Sequence, residues 1–156
     1  MDMLSSSVIE NNAIILENLM LEMAWSEYRR FSRSLSVYKL TFPQFHTLVA
    51  IKQNNFRNNF KCTMGYLADE TKQVSATMTG IIDRLVEQGL VERWRPPEDR
   101  RKVLVRLTEA GRLKLNDVLQ ARQNDLNNIL GHLDEKTRHN LTFSLKQYLD
   151  VVDVVS

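Results

Sequence analysis

Ser75 to Arg93 reads SATMTGIIDRLVEQGLVER, and its rhythm changes partway along. Val74, Met78, Ile81, Ile82 and Leu85 recur at helical spacing and form one apolar stripe. Ser75 stands where an N-cap belongs, and Gly89 where a left-handed residue stops a helix. Beyond Gly89 the pattern alternates. Leu90–Arg95 and Lys102–Leu107 read as two strands. Pro96-Pro97-Glu98-Asp99-Arg100-Arg101 lies between them, and proline has no N–H for a ladder interior, so this segment is the hairpin tip.

Upstream, Met64–Glu70 reads as a short helix, with a break around Lys72–Val74. Two short helices joined by a turn of about three or four residues, then a charged hairpin, describe a winged helix-turn-helix. Farther out, Thr41-Phe42-Pro43-Gln44 has capping-box spacing and opens a helix to about Lys52. Residues 8–33 repeat Ile9, Ala13, Leu16, Met20, Met23 and Ala24 at helical intervals without Gly or Pro. Downstream, Thr108 caps a long helix that Gly131 ends, and Asp134 caps a last one bearing Leu141, Leu145, Tyr148, Leu149 and Val152. The expected fold is mainly α with a small β-hairpin wing. A winged helix-turn-helix lobe over 41–110 is flanked by dimerisation helices over 1–40 and 111–156, all parts of one compact chain.

Composition narrows the function classes. The chain has 156 residues, 43% hydrophobic and 26% charged, enough for a sizeable core. Its 5 Gly and 3 Pro are too few for a turn-rich β-sandwich. A single cysteine, Cys62, excludes an internal disulfide framework. No Cys/His cluster has zinc-ligand spacing, no apolar run can span a bilayer, and the start does not read as a signal peptide. A soluble, cytoplasmic protein without metal or cofactor is expected. His132 and His139 read as surface residues, and no nucleophile–base constellation gives an enzyme reading anything to attach to.

Net charge is only +2, but it is unevenly spread. Within Glu92–Arg106, six bases (Arg93, Arg95, Arg100, Arg101, Lys102, Arg106) face three acids (Glu92, Glu98, Asp99). A nearly neutral chain with one short basic segment points to a local polyanion contact. The face of the 75–88 helix opposite its apolar stripe carries Ala76, Gly80, Asp83 and Glu87, with Thr79 on the flank. Its first half is small and uncharged, while its second half would be repelled by phosphate. The helix therefore enters a major groove by its N-terminal end. Arg100 and Arg101 at the hairpin tip would reach the adjoining minor groove, with Asp99 holding one of them as a carboxylate–guanidinium pair.

The stretches Tyr66-Leu67-Ala68, Ile82 through Arg93 and Glu98 through Gly111 resemble the MarR family of bacterial winged-helix regulators. The order D-R-L-x-x-x-G-L-V-x-R, then D-R-R, then L-T-x-x-G carries the resemblance over about residues 63–112. It implies a homodimer on a pseudo-palindromic operator, usually a repressor released by a small ligand or by oxidation. By position it places Ser75, Ala76, Thr77, Thr79 and Gly80 on the DNA-reading helix, and Asp99, Arg100 and Arg101 on the wing. Thr63 becomes a phosphate donor. Gly80 departs from relatives that place a longer base-reading side chain there; either close approach to DNA or weaker direct readout would follow.

Two further expectations attach to this picture. Apolar content in the first helix and the valine tail (Val151, Val152, Val154, Val155) exceeds what a lone chain can bury. Pairing across a two-fold would cover it and set two recognition helices about 34 Å apart. The resemblance also places a small aromatic or anionic effector between the dimerisation helices and the DNA-binding lobe, where Trp25, Tyr28, Arg29, Phe45, His46 and Val49 fall. Aromatics at helical spacing more often serve a plain core, and that is the simpler expectation for these. Cys62 beside Lys61 invites a redox reading, although a structural cysteine is the simpler expectation. The rival to a DNA-binding repressor is a winged-helix protein-interaction scaffold, because fold alone does not fix function.

Overall fold

The computed structural model describes residues 3–57, 62–97 and 99–155. They fall into two compact units, residues 1–118 and 119–156, with the boundary inside one helix. The element order is α1 (Met3–Val37), α2 (Phe42–Arg57), α3 (Met64–Glu70), α4 (Ser75–Glu87), β1 (Val91–Trp94), β2 (Leu104–Leu107), α5 (Glu109–Gly131) and α6 (Glu135–Val155).

In the first unit, α1 runs past the expected end at Arg33, because Phe31 and Leu35 continue its apolar stripe into the core. It stops where Lys39 turns to φ 56 and the Leu40 N–H reaches back to the carbonyl of Leu35 at 3.1 Å. The capping box of α2 forms as its spacing predicts: the Thr41 N–H donates to Gln44 Oε1 at 2.9 Å, and the Gln44 N–H donates back to Thr41 Oγ1. α2 outlasts its expected end near Lys52, since Leu48, Ile51 and Asn54 all turn inward.

The core of this unit is built from Leu48, Ile51, Leu67, Met78, Ile82, Leu85, Val105, Leu115 and Val118, all fully buried. Each contributes roughly 1.5–3 kcal/mol relative to exposure. α2 packs against α3, α4 and β2, and α4 also packs against β1. The strands pair antiparallel with Val91 opposite Leu107 and Trp94 opposite Leu104. They are shorter than expected, and β2 does not alternate: Leu104 and Val105 are both buried. A third strand fragment explains this. The Val105 N–H donates to the Cys62 carbonyl at 2.9 Å, and Thr63 bridges Leu104, so β2 is covered along its second edge.

Thr108 and Gly111 weld the hairpin to α5. Thr108 Oγ1 accepts the Gly111 N–H at 3.0 Å and donates to the Gly89 carbonyl at 2.7 Å, while the Thr108 N–H donates to the Leu90 carbonyl at 3.1 Å. Only glycine fits at 111: a Cβ there would stand 1.9 Å from the Leu90 carbonyl oxygen. The spacing of L-T-x-x-G is thus the footprint of a helix start pressed on a turn.

In the second unit, Asp134 caps α6 through the N–H and hydroxyl of Thr137. Arg138 donates to the carbonyls of Leu130 and Leu133, satisfying the open end of α5. Leu141, Phe143, Leu145, Leu149, Val151 and Val154 of α6 are exposed in the single chain. So are Ile9, Ile14, Leu19, Leu21 and Met23 of α1. Among the described residues no helix is long and apolar enough to cross a membrane.

Candidate nucleic-acid interface

α3 and α4 form the helix pair, joined by a turn in which Thr71 is buried and donates its hydroxyl to the Leu67 carbonyl at 2.7 Å. Lys72 takes the left-handed conformation at φ 54. The cap of α4 differs from expectation: it is Val74, which makes no side-chain cap bond, and Ser75 is already helical. The Ser75 carbonyl instead accepts from Thr79 Oγ1 at 3.0 Å. The first turn of α4 therefore keeps backbone N–H groups that no capping side chain satisfies.

Met78, Ile82 and Leu85 anchor α4 to the core. Ser75, Ala76, Thr77, Thr79 and Gly80 are exposed together, and apart from its own helix backbone and adjacent residues no described atom lies within 4 Å of where a Gly80 Cβ would be. This half of the helix presents a blunt, uncharged surface. Its second half is acidic, and Asp83 there pairs with Arg93 of β1 at 2.6 Å, tying helix to wing.

Geometry sorts the basic segment into two sets. Arg93, Lys102 and Arg106 are paired with Asp83, Asp99 and Glu92, and the Arg106 guanidinium also lies 5.7 Å from the Trp94 ring centroid. Arg95, Arg100 and Arg101 are exposed and make no ion pair with any described residue. Asp99 does not hold a guanidinium as its neighbours led one to expect. Its carboxylate accepts the Arg101 backbone N–H at 3.2 Å and pairs with Lys102 Nζ at 3.3 Å. The carboxylate thereby shapes the turn and leaves both arginine heads in solvent. Arg95 was missed in sequence, although its place before Pro96 at the foot of the tip marks it as a residue outside the ladder. Glu98 lies outside the described residues.

Thr63 caps α3, its hydroxyl accepting the Tyr66 N–H at 3.1 Å, and stands half-buried beside β2. A recess of about 480 Å³ opens between the helices and the wing, lined by Met64, Thr79, Arg93, Trp94, Arg95 and Val103. The Trp94 Nε1 is buried with no hydrogen-bond partner among the described residues. No sequence period announces this recess, because its walls come from α3, α4 and both ends of the hairpin.

Four of the effector candidates, Trp25, Tyr28, Phe45 and His46, join into one aromatic run. Trp25 meets Tyr28 edge-on at 6.4 Å, Tyr28 meets Phe42 at 6.0 Å, and Phe42 meets His46 at 6.3 Å. Phe31 links Phe42 to Phe45, its ring 4.8 Å from the latter. Phe31 and Phe42 complete the run and were not singled out in sequence. Trp25, Tyr28, Arg29 and His46 are exposed, whereas Phe45 and Val49 are half-buried. Cys62 is fully buried, and desolvation pushes its thiol up to about 12, so it carries no thiolate near neutrality. Lys61 lies outside the described residues.

Residues 38–102 match the model of the MarR family. A transcriptional repressor of Pseudomonas putida, NicR, is 31% identical over 112 residues, which cover 72% of this chain and 68% of that protein. Among solved structures, a MarR family protein from Bacillus stearothermophilus superposes with a TM-score of 0.78 at 27% identity, covering 92% of this chain and 97% of the other. A mutant MarR from E. coli gives 0.72 at 30% identity, covering 86% and 96%.

Proposed function

We propose a function from one premise: this chain belongs to the MarR family and is a DNA-binding transcriptional regulator. The α4 nose, through Ser75, Ala76, Thr77, Thr79 and Gly80, enters a major groove. Arg100 and Arg101, joined by Arg95, reach the flanking minor groove, where guanidinium groups are drawn to negative potential. Thr63 and the free N–H groups of the α4 start contact phosphates. Asp99 acts by shaping the tip. The observation that carries this reading is an uncharged, exposed helix nose beside three exposed hairpin arginines that make no ion pair among the described residues.

The regulator acts as a homodimer on a pseudo-palindromic operator, most simply as a repressor. Apolar faces of α1 and α6 that one chain leaves exposed supply the contact, in keeping with segments 1–40 and 111–156 as dimerisation helices around a 41–110 lobe. An effector of small aromatic or anionic character shifts the population between DNA-competent and incompetent dimers. The aromatic run from Trp25 to His46, with Arg29 nearby on α1, offers it a surface. No enzymatic role is proposed; the named relative is a repressor.

The test is selection of genomic fragments bound at low salt, followed by affinity against salt concentration. Two protomers each placing three arginines on phosphate-lined grooves give a log–log slope of about −5, at roughly −0.9 per neutralised phosphate. Failure to retain any duplex would favour the interaction-scaffold alternative.

A further inference from the structure

The exposed nose of α4 is unusual in what it lacks. Arg and Lys read guanine bidentately, and Asn and Gln read adenine. None of these stands among Val74, Ser75, Ala76, Thr77, Thr79 and Gly80. The long polar side chains farther along α4 and just before it are ill placed. Arg84 lies in the last turn of α4 beside Asp83 and Glu87, and Gln73 is half-buried before the helix begins, its amide 3.5 Å from the Thr71 carbonyl. Thr79 already donates its hydroxyl proton to the Ser75 carbonyl. What the nose does offer is apolar carbon. Val74 is 70% exposed at a cap position where a polar side chain would stabilise the helix by about 1 kcal/mol. Ala76 follows on the exposed face, and Gly80 leaves open space beside it.

We infer that the operator half-site is thymine-rich where α4 enters, and that Val74 and Ala76 read it through thymine C5-methyl groups rather than through bidentate hydrogen bonds. Thymine is the base that presents an apolar group in the major groove, and small side chains such as Ala are its partners. Absence of a Cβ at Gly80 lets the backbone come close enough for a methyl group to be covered. Arg100 and Arg101 add preference of the same sign, since A-tracts narrow the minor groove and attract guanidinium groups. This inference rests on the reading of α4 as the major-groove helix.

The experiment uses the full-length protein and a duplex selected from a random library. Each thymine is replaced in turn by deoxyuridine, which keeps pairing and the O4 acceptor and removes only the methyl group. Affinity should fall about fourfold at the contacted thymines, matching about 0.8 kcal/mol per buried carbon group, and about fifteenfold when both half-sites are changed. Val74→Ala and Ala76→Gly should each bind less tightly and lose sensitivity at one of these positions; Val74→Ser, which supplies a cap, guards against a folding defect. The inference is overturned if no uracil substitution changes affinity by more than twofold. It is equally overturned if 7-deazaguanine in the half-site is the costly replacement, because guanine N7 would then be the group read. A library from which no duplex is retained refutes the DNA-binding reading itself, an outcome distinct from both.

Discussion

Replacing Gly111 by alanine should damage the DNA-binding lobe at the root of its wing. The new Cβ would start 1.9 Å from the Leu90 carbonyl oxygen and 2.9 Å from its carbon. Ordinary C···O contact is about 3.3 Å, so α5 and the Gly89–Leu90 turn must separate by more than about 1 Å. Separation breaks two or three bonds that meet there: Thr108 N–H to the Leu90 carbonyl, Thr108 Oγ1 to the Gly89 carbonyl, and Gly111 N–H to Thr108 Oγ1. At about 1 kcal/mol each, with strain on buried Leu90, Leu107 and Leu115 added and a helix-propensity gain of about 1 kcal/mol subtracted, the net loss is about 2–4 kcal/mol. Gly131→Ala is the control, because nothing lies within 4 Å of its added Cβ. Urea unfolding at fixed protein concentration measures both. A Gly111→Ala variant within about 0.5 kcal/mol of the parent would refute the close-approach reasoning.

Arg100→Ala and Arg101→Ala should each weaken operator binding while leaving thermal unfolding unchanged, and should flatten the salt slope by about 2 per dimer; parental affinity in both would remove the wing from the interface. Light scattering should give about twice the 18.2 kDa chain mass, and a monomer at micromolar concentration would contradict pairing through α1 and α6. The Cys62 thiol should resist aromatic disulfide reagents in the native state and react fully after unfolding. The folded state keeps this proton while the unfolded state loses it, so stability should decline as pH rises from 9.0 towards about 12, and Cys62→Ser should lack that decline. Hydrogen bonds from the Thr137 hydroxyl and N–H hold the Asp134 carboxyl below its usual range. Its support of α6 is therefore complete above about pH 4 and lost as pH falls through the lowered value, which an acid titration of helicity on Asp134→Ala should show as a missing step.

The order of elements was legible because each boundary has a local cause. The Thr41–Gln44 capping box, Gly89 at φ 69, the prolines of the hairpin tip and Asp134 before α6 act within a few residues of themselves. Helix lengths were less so. α1 and α2 outran their expected ends because Leu35 and Asn54, which lie beyond those ends, are buried. Likewise the doubling of buried residues in β2 depends on Cys62, which no period within β2 could reveal.

The site shows a deeper limit. A motif records which residues are present, whereas binding depends on which of their groups remain unspent after folding. Asp99, Lys102 and the Arg101 N–H satisfy one another, so the D-R-R signature delivers two exposed guanidinium groups that Asp99 does not hold. Of six bases that look alike in sequence, three are committed to ion pairs. Exposed pairs of this kind contribute only about 0–1 kcal/mol each to stability. Their larger effect is on where positive charge points. By holding Arg93 against Asp83 and Arg106 against Glu92, the fold commits those cations and leaves Arg95, Arg100 and Arg101 without an ion pair among the described residues. A polyanion is thereby offered a neutral edge to fit and a charged rim to hold, two different kinds of contact set side by side.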